Sequence, residues 1–235
     1  MPLINCALMQ VFSDFDGTIS IQDVTDIVLS NFADPEWEEI EKQWKDGLIG
    51  SADCMRRQIA LIRASRGELG ALLDTVAIDP GFKSFLDYCR VAGLPVSVVS
   101  DGVDHFIRHV LLRNGIADLP VIANRLTYRL VDGREAYALS PALTAAGCSS
   151  GSGVCKCHVI WGIEPHIYIG DGRSDFCVAG IADLVFAKDR LADYCTDHGI
   201  PFIGFADFTD LRSKLKAVLP GIPRQGRAVP QFQIA

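Results

Sequence analysis

Three short segments of this chain set carboxylate or hydroxyl side chains directly before glycine: Asp14-Phe15-Asp16-Gly17, Ser100-Asp101-Gly102 and Asp171-Gly172. Each follows an apolar run of strand type, at 7–12, 95–99 and 166–169. Parallel strands would bring their C-terminal ends, and so these groups, to one edge. Carboxylates gathered there repel one another and need a cation. Magnesium suits them, because it takes hard oxygen ligands and keeps waters, matching a few carboxylates plus a phosphate oxygen. Glycine in the same turns lets backbone N–H groups come close to an anion. Asp14 and Asp16, two apart on a strand end, point in similar directions. Asp171 and Asp175, four apart at a helix start, share a face of its first turn. A single Asp-Gly turn is commonplace; the combination points to phosphate chemistry.

The elements that must position these groups alternate in type. From 20 to 78 the apolar spacing is helical, with Val24, Ile27, Val28 and Phe32 on one face and Leu69, Leu72, Leu73 and Val76 on another. After Asp79-Pro80-Gly81, helices and strands alternate: a helix through Phe82, Phe85 and Cys89, a strand at 95–99, a helix through Phe106 and Val110, and a strand at 119–123. A hairpin follows at 125–131, turning at Asp132-Gly133. A stretch at 140–153 rich in Gly, Ser and Ala precedes a short helix at 154–162, the strand at 166–169, and last strands at 184–187 and 201–205. The expected fold is an α/β doubly wound parallel sheet with right-handed crossovers and a helical cap inserted after the first strand. The core would span 1–19 and 79–219, the cap 20–78, and a loosely held tail 220–235.

Bulk properties narrow the function. The 235 residues, 49% hydrophobic, can bury a substantial core, and the net charge of −7 with scattered Lys and Arg argues against nucleic acid. No run reaches the roughly 18 apolar residues of a membrane span, and residues 1–9 carry no basic leader, so a cytoplasmic protein is expected. Eight cysteines do not make a disulfide scaffold in a chain this long. Cys54, Cys89, Cys177 and Cys195 read as ordinary buried thiols.

The full set of motifs resembles the haloacid dehalogenase superfamily of phosphohydrolases. Asp14-Phe15-Asp16-Gly17-Thr18 looks like its first motif, Val98-Val99-Ser100 its second, Lys156 its third and Gly170-Asp171-Gly172-Arg173-Ser174-Asp175 its fourth, in the family's order and over residues 7 to about 210. The resemblance implies that Asp14 attacks phosphorus to form an aspartyl-phosphate. Asp16 would protonate the leaving alkoxide and then activate water. Ser100 and Lys156 would hold the phosphoryl oxygens, with Asp101 and Gly102 beside them. Mg2+ would sit on Asp14, Asp171 and Asp175, with the Asp16 carbonyl also facing it. True dehalogenases lack the second carboxylate, so Asp16 favours phosphoryl transfer.

The helical block resembles the cap of the phosphoserine phosphatase branch. Within that branch, the Asp34-Pro35-Glu36-Trp37 neighbourhood and the Cys-rich lead into Lys156 are similar to methionine-salvage phosphatases acting on 2-hydroxy-3-keto-5-methylthiopentenyl-1-phosphate. Asp23 and Arg56 fall where phosphoserine phosphatases place an amine-binding Glu and a carboxylate-binding Arg. A phosphoserine or phosphoethanolamine substrate therefore stays open, as do the bland readings of a helix N-cap for Asp23 and a solvated helix residue for Arg56. The partner would be a small phosphate ester and the assembly a monomer or homodimer. A phospholigand sensor on the same fold is a further alternative. So is a redox or zinc role for Cys148, Cys155 and Cys157 with His158, including a Cys148 to Cys155 disulfide.

Overall fold

The computed structural model describes residues 9–144, 151–163 and 165–221. Strand β1 (Gln10–Ser13) is followed by four helices, α1 (Val24–Phe32), α2 (Glu36–Lys45), α3 (Ser51–Ile59) and α4 (Arg66–Leu73). Next come α5 (Phe82–Ala92), β2 (Val96–Val103), α6 (Asp104–Arg113), β3 (Val121–Val131) and β4 (Arg134–Ser140). The chain continues through α7 (Lys156–Ile160), β5 (His166–Gly170), α8 (Phe176–Ala179), β6 (Leu184–Ala187), α9 (Asp189–Asp197), β7 (Ile203–Gly204) and α10 (Phe208–Val218).

The strands form one sheet in the order β4-β3-β2-β1-β5-β6-β7. Every pairing is parallel except β3 with β4. Val11 of β1 pairs with Val96 on one side and Ile167 on the other. The strand ends of β1, β2 and β5 that carry the three acidic segments are therefore neighbours. Alternation sends Val11, Ile167 and Ile169 into a large core with Phe82, Phe85 and Phe208, and sends Phe12 and Tyr168 into a second core with Val99, Ile160 and Val178. Burial on both faces explains why these strands read as continuous apolar runs.

Two expectations change in detail. The separate strand and hairpin expected at 119–131 are one long strand, β3, which turns at Asp132 (φ 50°) and Gly133 (φ 76°) and returns as β4. Asn124, between the two expected elements, is buried in mid-strand, where its side chain donates to the Asp101 carbonyl at 2.5 Å. Strand β2 likewise runs past Val99 to Val103, with a shift of register against β3 between those residues. That irregularity falls on Ser100-Asp101-Gly102, where it re-aims side chains at the sheet edge.

The four helices between β1 and α5 leave and rejoin the sheet layer through linkers that lie side by side. Asp79 N–H donates to the Ile19 carbonyl at 2.8 Å and Ile21 N–H to the Ala77 carbonyl at 3.1 Å. The far side of the block is braced by the β3–β4 hairpin. Arg66 pairs with Glu135 at 2.6 Å and lies 4.2 Å over the Tyr128 ring, and the Tyr137 hydroxyl donates to the Ala64 carbonyl at 2.9 Å. No described helix is long and apolar enough to cross a membrane.

Candidate active site

A cleft of about 940 Å3 lies between the helical block and the sheet edge, and Asp14, Asp16, Ser100, Asp101, Gly102 and Asp171 line its floor. Asp14 ends β1 and is only 4% exposed, while Lys156, at the start of α7, is fully buried. The Lys156 ammonium lies 2.7 Å from Asp14 Oδ2 and 2.6 Å from Asp175 Oδ1, and donates to Ser174 Oγ at 2.8 Å. Burial alone would discharge this lysine, but the two carboxylates outweigh it and hold the ammonium well above its ordinary range.

Asp175 organises this corner. Its Oδ1 accepts from Lys156 and from the Tyr168 hydroxyl at 2.5 Å, and its Oδ2 accepts the N–H groups of Asp171 and Gly172, both at 3.0 Å. All four lone-pair positions of the carboxylate are thus engaged. Asp171 is held from the other side by the Thr18 hydroxyl.

Charge in this cluster is out of balance. One carboxylate oxygen from each of Asp14, Asp171 and Asp175 falls within a 4.8 Å group, against a single ammonium. Burial, and then the charge of Asp175, push the Asp14 carboxyl well above the usual carboxylate range and Asp171 up to about 6. A divalent cation with a preference for hard oxygen ligands fits the Asp14 and Asp171 oxygens of this group and removes the repulsion, whereas Asp175, expected as a third ligand, already accepts from four donors and stands behind them. The cluster is the only His, Cys, Asp or Glu group among the described residues close enough together to hold a metal.

Asp16 stands above the cluster. Its Oδ1 accepts the Val24 N–H at 2.9 Å at the start of α1. Burial, then the nearby charge of Asp23, push its carboxyl well above the usual range. Close approach of the backbone makes two glycines necessary here. A Cβ on Gly102 would lie 2.5 Å from Asp16 Oδ2, and one on Gly17 would lie 2.6 Å from Asp171 Oδ2. Gly17 also has φ +71°, which L side chains rarely adopt.

The remaining expected residues divide. Ser100 is buried at the cleft floor, its Oγ accepting the Gly102 N–H at 3.0 Å. Asp23 faces the cleft and is also the N-cap of α1, accepting the Asp26 N–H at 3.0 Å. Its carboxylate is open to water through the cleft mouth, yet the crowding protein and then Asp26 raise it to about 6.

Asp101 was expected beside the phosphate, but its carboxylate is committed elsewhere. It accepts the Gly153 and Val154 N–H groups at 2.9 and 3.1 Å and the Ser51 hydroxyl at 2.5 Å. It therefore ties the segment leading into Lys156 to helix α3. Arg56 is not brought to the cleft at all. Ser51, Cys54, Met55 and Gln58 form the stripe of α3 that lines it, and Arg56, off that stripe, pairs with Asp53 at 2.5 Å in solvent.

Sequence reading missed Thr18, Ser174 and Tyr168. A tyrosine inside the apolar strand β5 was a usable signal, since a buried phenol needs a hydrogen-bond partner. The Sγ atoms of Cys155 and Cys157 lie 3.1 Å apart. Cys148 and the tail beyond Gly221 lie outside the described residues.

Comparison with known proteins agrees with this geometry. The haloacid dehalogenase-like hydrolase family model matches residues 11–180. The chain is 31% identical over 214 residues to a 2-hydroxy-3-keto-5-methylthiopentenyl-1-phosphate phosphatase of Brevibacillus brevis, covering 88% of this chain and 95% of that one. It is 30% identical over 212 residues to the enzyme of the same name in Geobacillus kaustophilus, covering 88% and 94%. Among solved structures it is similar to phosphoserine phosphatase in a phospho-aspartyl intermediate analogue form, with a TM-score of 0.64 and 20% identity over 89% of this chain and 98% of that one. With three motifs lining one cleft, Lys156 of the remaining one buried against Asp14, and a family match across most of its length, the chain belongs to the haloacid dehalogenase-like hydrolases.

Proposed function

We propose that this phosphatase uses magnesium and an aspartyl-phosphate on Asp14 to hydrolyse a small phosphomonoester, 2-hydroxy-3-keto-5-methylthiopentenyl-1-phosphate. The observation that carries the chemistry is the pairing of Asp14 with buried Lys156 at 2.7 Å, with Asp16 near enough in the turn after β1 to feel the charge of both. The relatives named for that ester support the substrate.

In the first step an Asp14 carboxylate oxygen forms a bond to phosphorus as the ester P–O bond breaks. Asp16, kept protonated by its buried surroundings and by Asp23, gives its proton to the departing oxygen. In the second step Asp16 takes a proton from water as that water attacks phosphorus, and the carboxylate of Asp14 is released. Lys156 offsets negative charge on Asp14 and the phosphoryl group throughout. Asp14, Asp171 and the Asp16 carbonyl would hold the cation, which when bound neutralises phosphoryl oxygens. Asp175, its acceptors filled, holds Lys156 and the Asp171-Gly172 turn in place.

Phosphoserine remains the comparison substrate. The outward placement of Arg56 removes the cation expected to bind its carboxylate. Arg56→Ala is accordingly expected to leave kcat/KM unchanged and stability within about 0.5 kcal/mol, as at other solvated positions; steady-state kinetics and urea melts check both. Gly17→Ala is expected to cost about 1–2 kcal/mol in backbone strain and, by displacing the Asp171 carboxylate, to lower kcat/KM by roughly 100-fold. Denaturation and phosphate-release assays on the same preparation would show the two losses together.

The function itself is tested by inorganic phosphate release from the methylthio ester, phosphoserine and phosphoethanolamine, with magnesium or with chelator. Magnesium-dependent release that prefers the methylthio ester is expected. Preference for phosphoserine would overturn the substrate, and release from none of them would favour a phospholigand-binding protein.

A further inference from the structure

The cleft wall contributed by the helical block is divided by chemistry. Asp23, Asp26 and Glu41, on α1 and α2, make one part. Leu48, Ile49 and Met55, on the α2–α3 turn and α3, make the other, and they are the large aliphatic and thioether side chains of the described cleft lining. Leu48 is 73% exposed, so it adds little to the stability of the folded chain. Leu48 and Ile49, with the cleft-lining part of Met55, whose remainder packs on the core, and with Trp44 of α2 on the same wall, offer apolar surface that an apolar ligand group would cover.

The position of this patch is fixed relative to the phosphoryl end of the cleft. Ala52 N–H donates to the Gly151 carbonyl at 3.0 Å, and a Cβ on Gly50 would lie 3.3 Å from that same oxygen. One residue on, the Ser51 hydroxyl donates to Asp101 Oδ2 at 2.5 Å, and Asp101 also holds the Gly153-Val154 segment that leads into Lys156. The turn bearing Leu48 and Ile49 is therefore pinned to the backbone that positions Lys156. Asp14 and the patch line the same cleft, so a ligand anchored by its phosphate at Asp14 would extend its leaving group within that cleft.

We propose that Leu48, Ile49 and Met55 form the specificity subsite for the apolar, sulfur-bearing arm of the leaving group, while the acidic part of the wall faces its hydroxyl and keto end. This rests on the phosphatase reading above and adds the residues that choose among esters. The unbranched Met55 side chain, with its polarisable sulfur, adapts to a thioether, and Leu48 and Ile49 cover its methyl group. Contacts of this kind discriminate by roughly tenfold or more for each methyl-sized group recognised.

The test compares kcat/KM for the methylthio ester with that for the same phosphate carrying hydrogen in place of the methylthio group, in the wild type, Leu48→Ala and Met55→Ala. The wild type is expected to prefer the methylthio ester by roughly tenfold or more. Each variant is expected to lose most of that preference through a raised KM for the methylthio ester, with turnover of the shorter analogue unchanged. Because Leu48 is exposed, its variant reports on recognition even if Met55→Ala weakens the fold. A wild-type preference that Leu48→Ala retains in full would overturn the subsite alone. A wild type that does not distinguish the two esters would overturn the subsite and the substrate assignment together.

Discussion

Asp14→Asn is expected to abolish turnover, lowering kcat by roughly 10^4-fold or more, while the protein stays folded. The amide has the shape of the carboxylate but is no nucleophile toward phosphorus. Its one oxygen can accept either from the Phe15 N–H that Asp14 Oδ1 now takes at 2.7 Å or from Lys156, not from both. Lys156 loses one counter-charge but keeps Asp175 at 2.6 Å, and the repulsion of Asp14 by Asp175 and Asp171 disappears. Loss of one partner of a buried pair costs stability and relief of the carboxylate repulsion offsets part of it, so the urea midpoint is expected to move by about 1–3 kcal/mol in equivalent stability. Activity near wild type would remove Asp14 from its role.

Asp175→Ala is expected to do the reverse in emphasis, costing about 3–5 kcal/mol of stability as well as activity. Its removal leaves the Lys156 ammonium, the Tyr168 hydroxyl and the Asp171 and Gly172 N–H groups without their shared acceptor inside a dry corner. Lys156 would retain Asp14 as its one counter-charge and the Ser174 hydroxyl as a neutral partner. Urea denaturation checks the stability. A variant as stable as the wild type would mean that this corner does not depend on Asp175.

These two residues also show what the sequence made legible. Asp14 was visible because a short apolar run ends in a carboxylate-rich glycine turn, and both signals are local. The helical block was visible because its apolar residues repeat at helical spacing, and the central strands because burial on both faces leaves them uniformly apolar. Asp175 was visible as an acid, but its four donors come from α7, β5 and its own turn, and that convergence has no local signature. Asp101 was misplaced for the same reason, as its partners Ser51 and Gly153 lie 50 and 52 residues away. Arg56 was a different kind of miss. The stripe Ser51, Cys54, Met55 and Gln58 follows helical spacing, and that phase turns position 56 away from the cleft.

The proposed hydrolysis consists of two in-line displacements at phosphorus, the first by Asp14 and the second by water. The measurement that tests it is the stereochemical course of hydrolysis of a thiophosphate ester made chiral at phosphorus by sulfur and two oxygen isotopes, carried out in water labelled with the third isotope. Each displacement inverts the configuration, so two of them give overall retention in the thiophosphate released. Inversion would show that water attacks the ester directly, and would contradict a covalent role for Asp14.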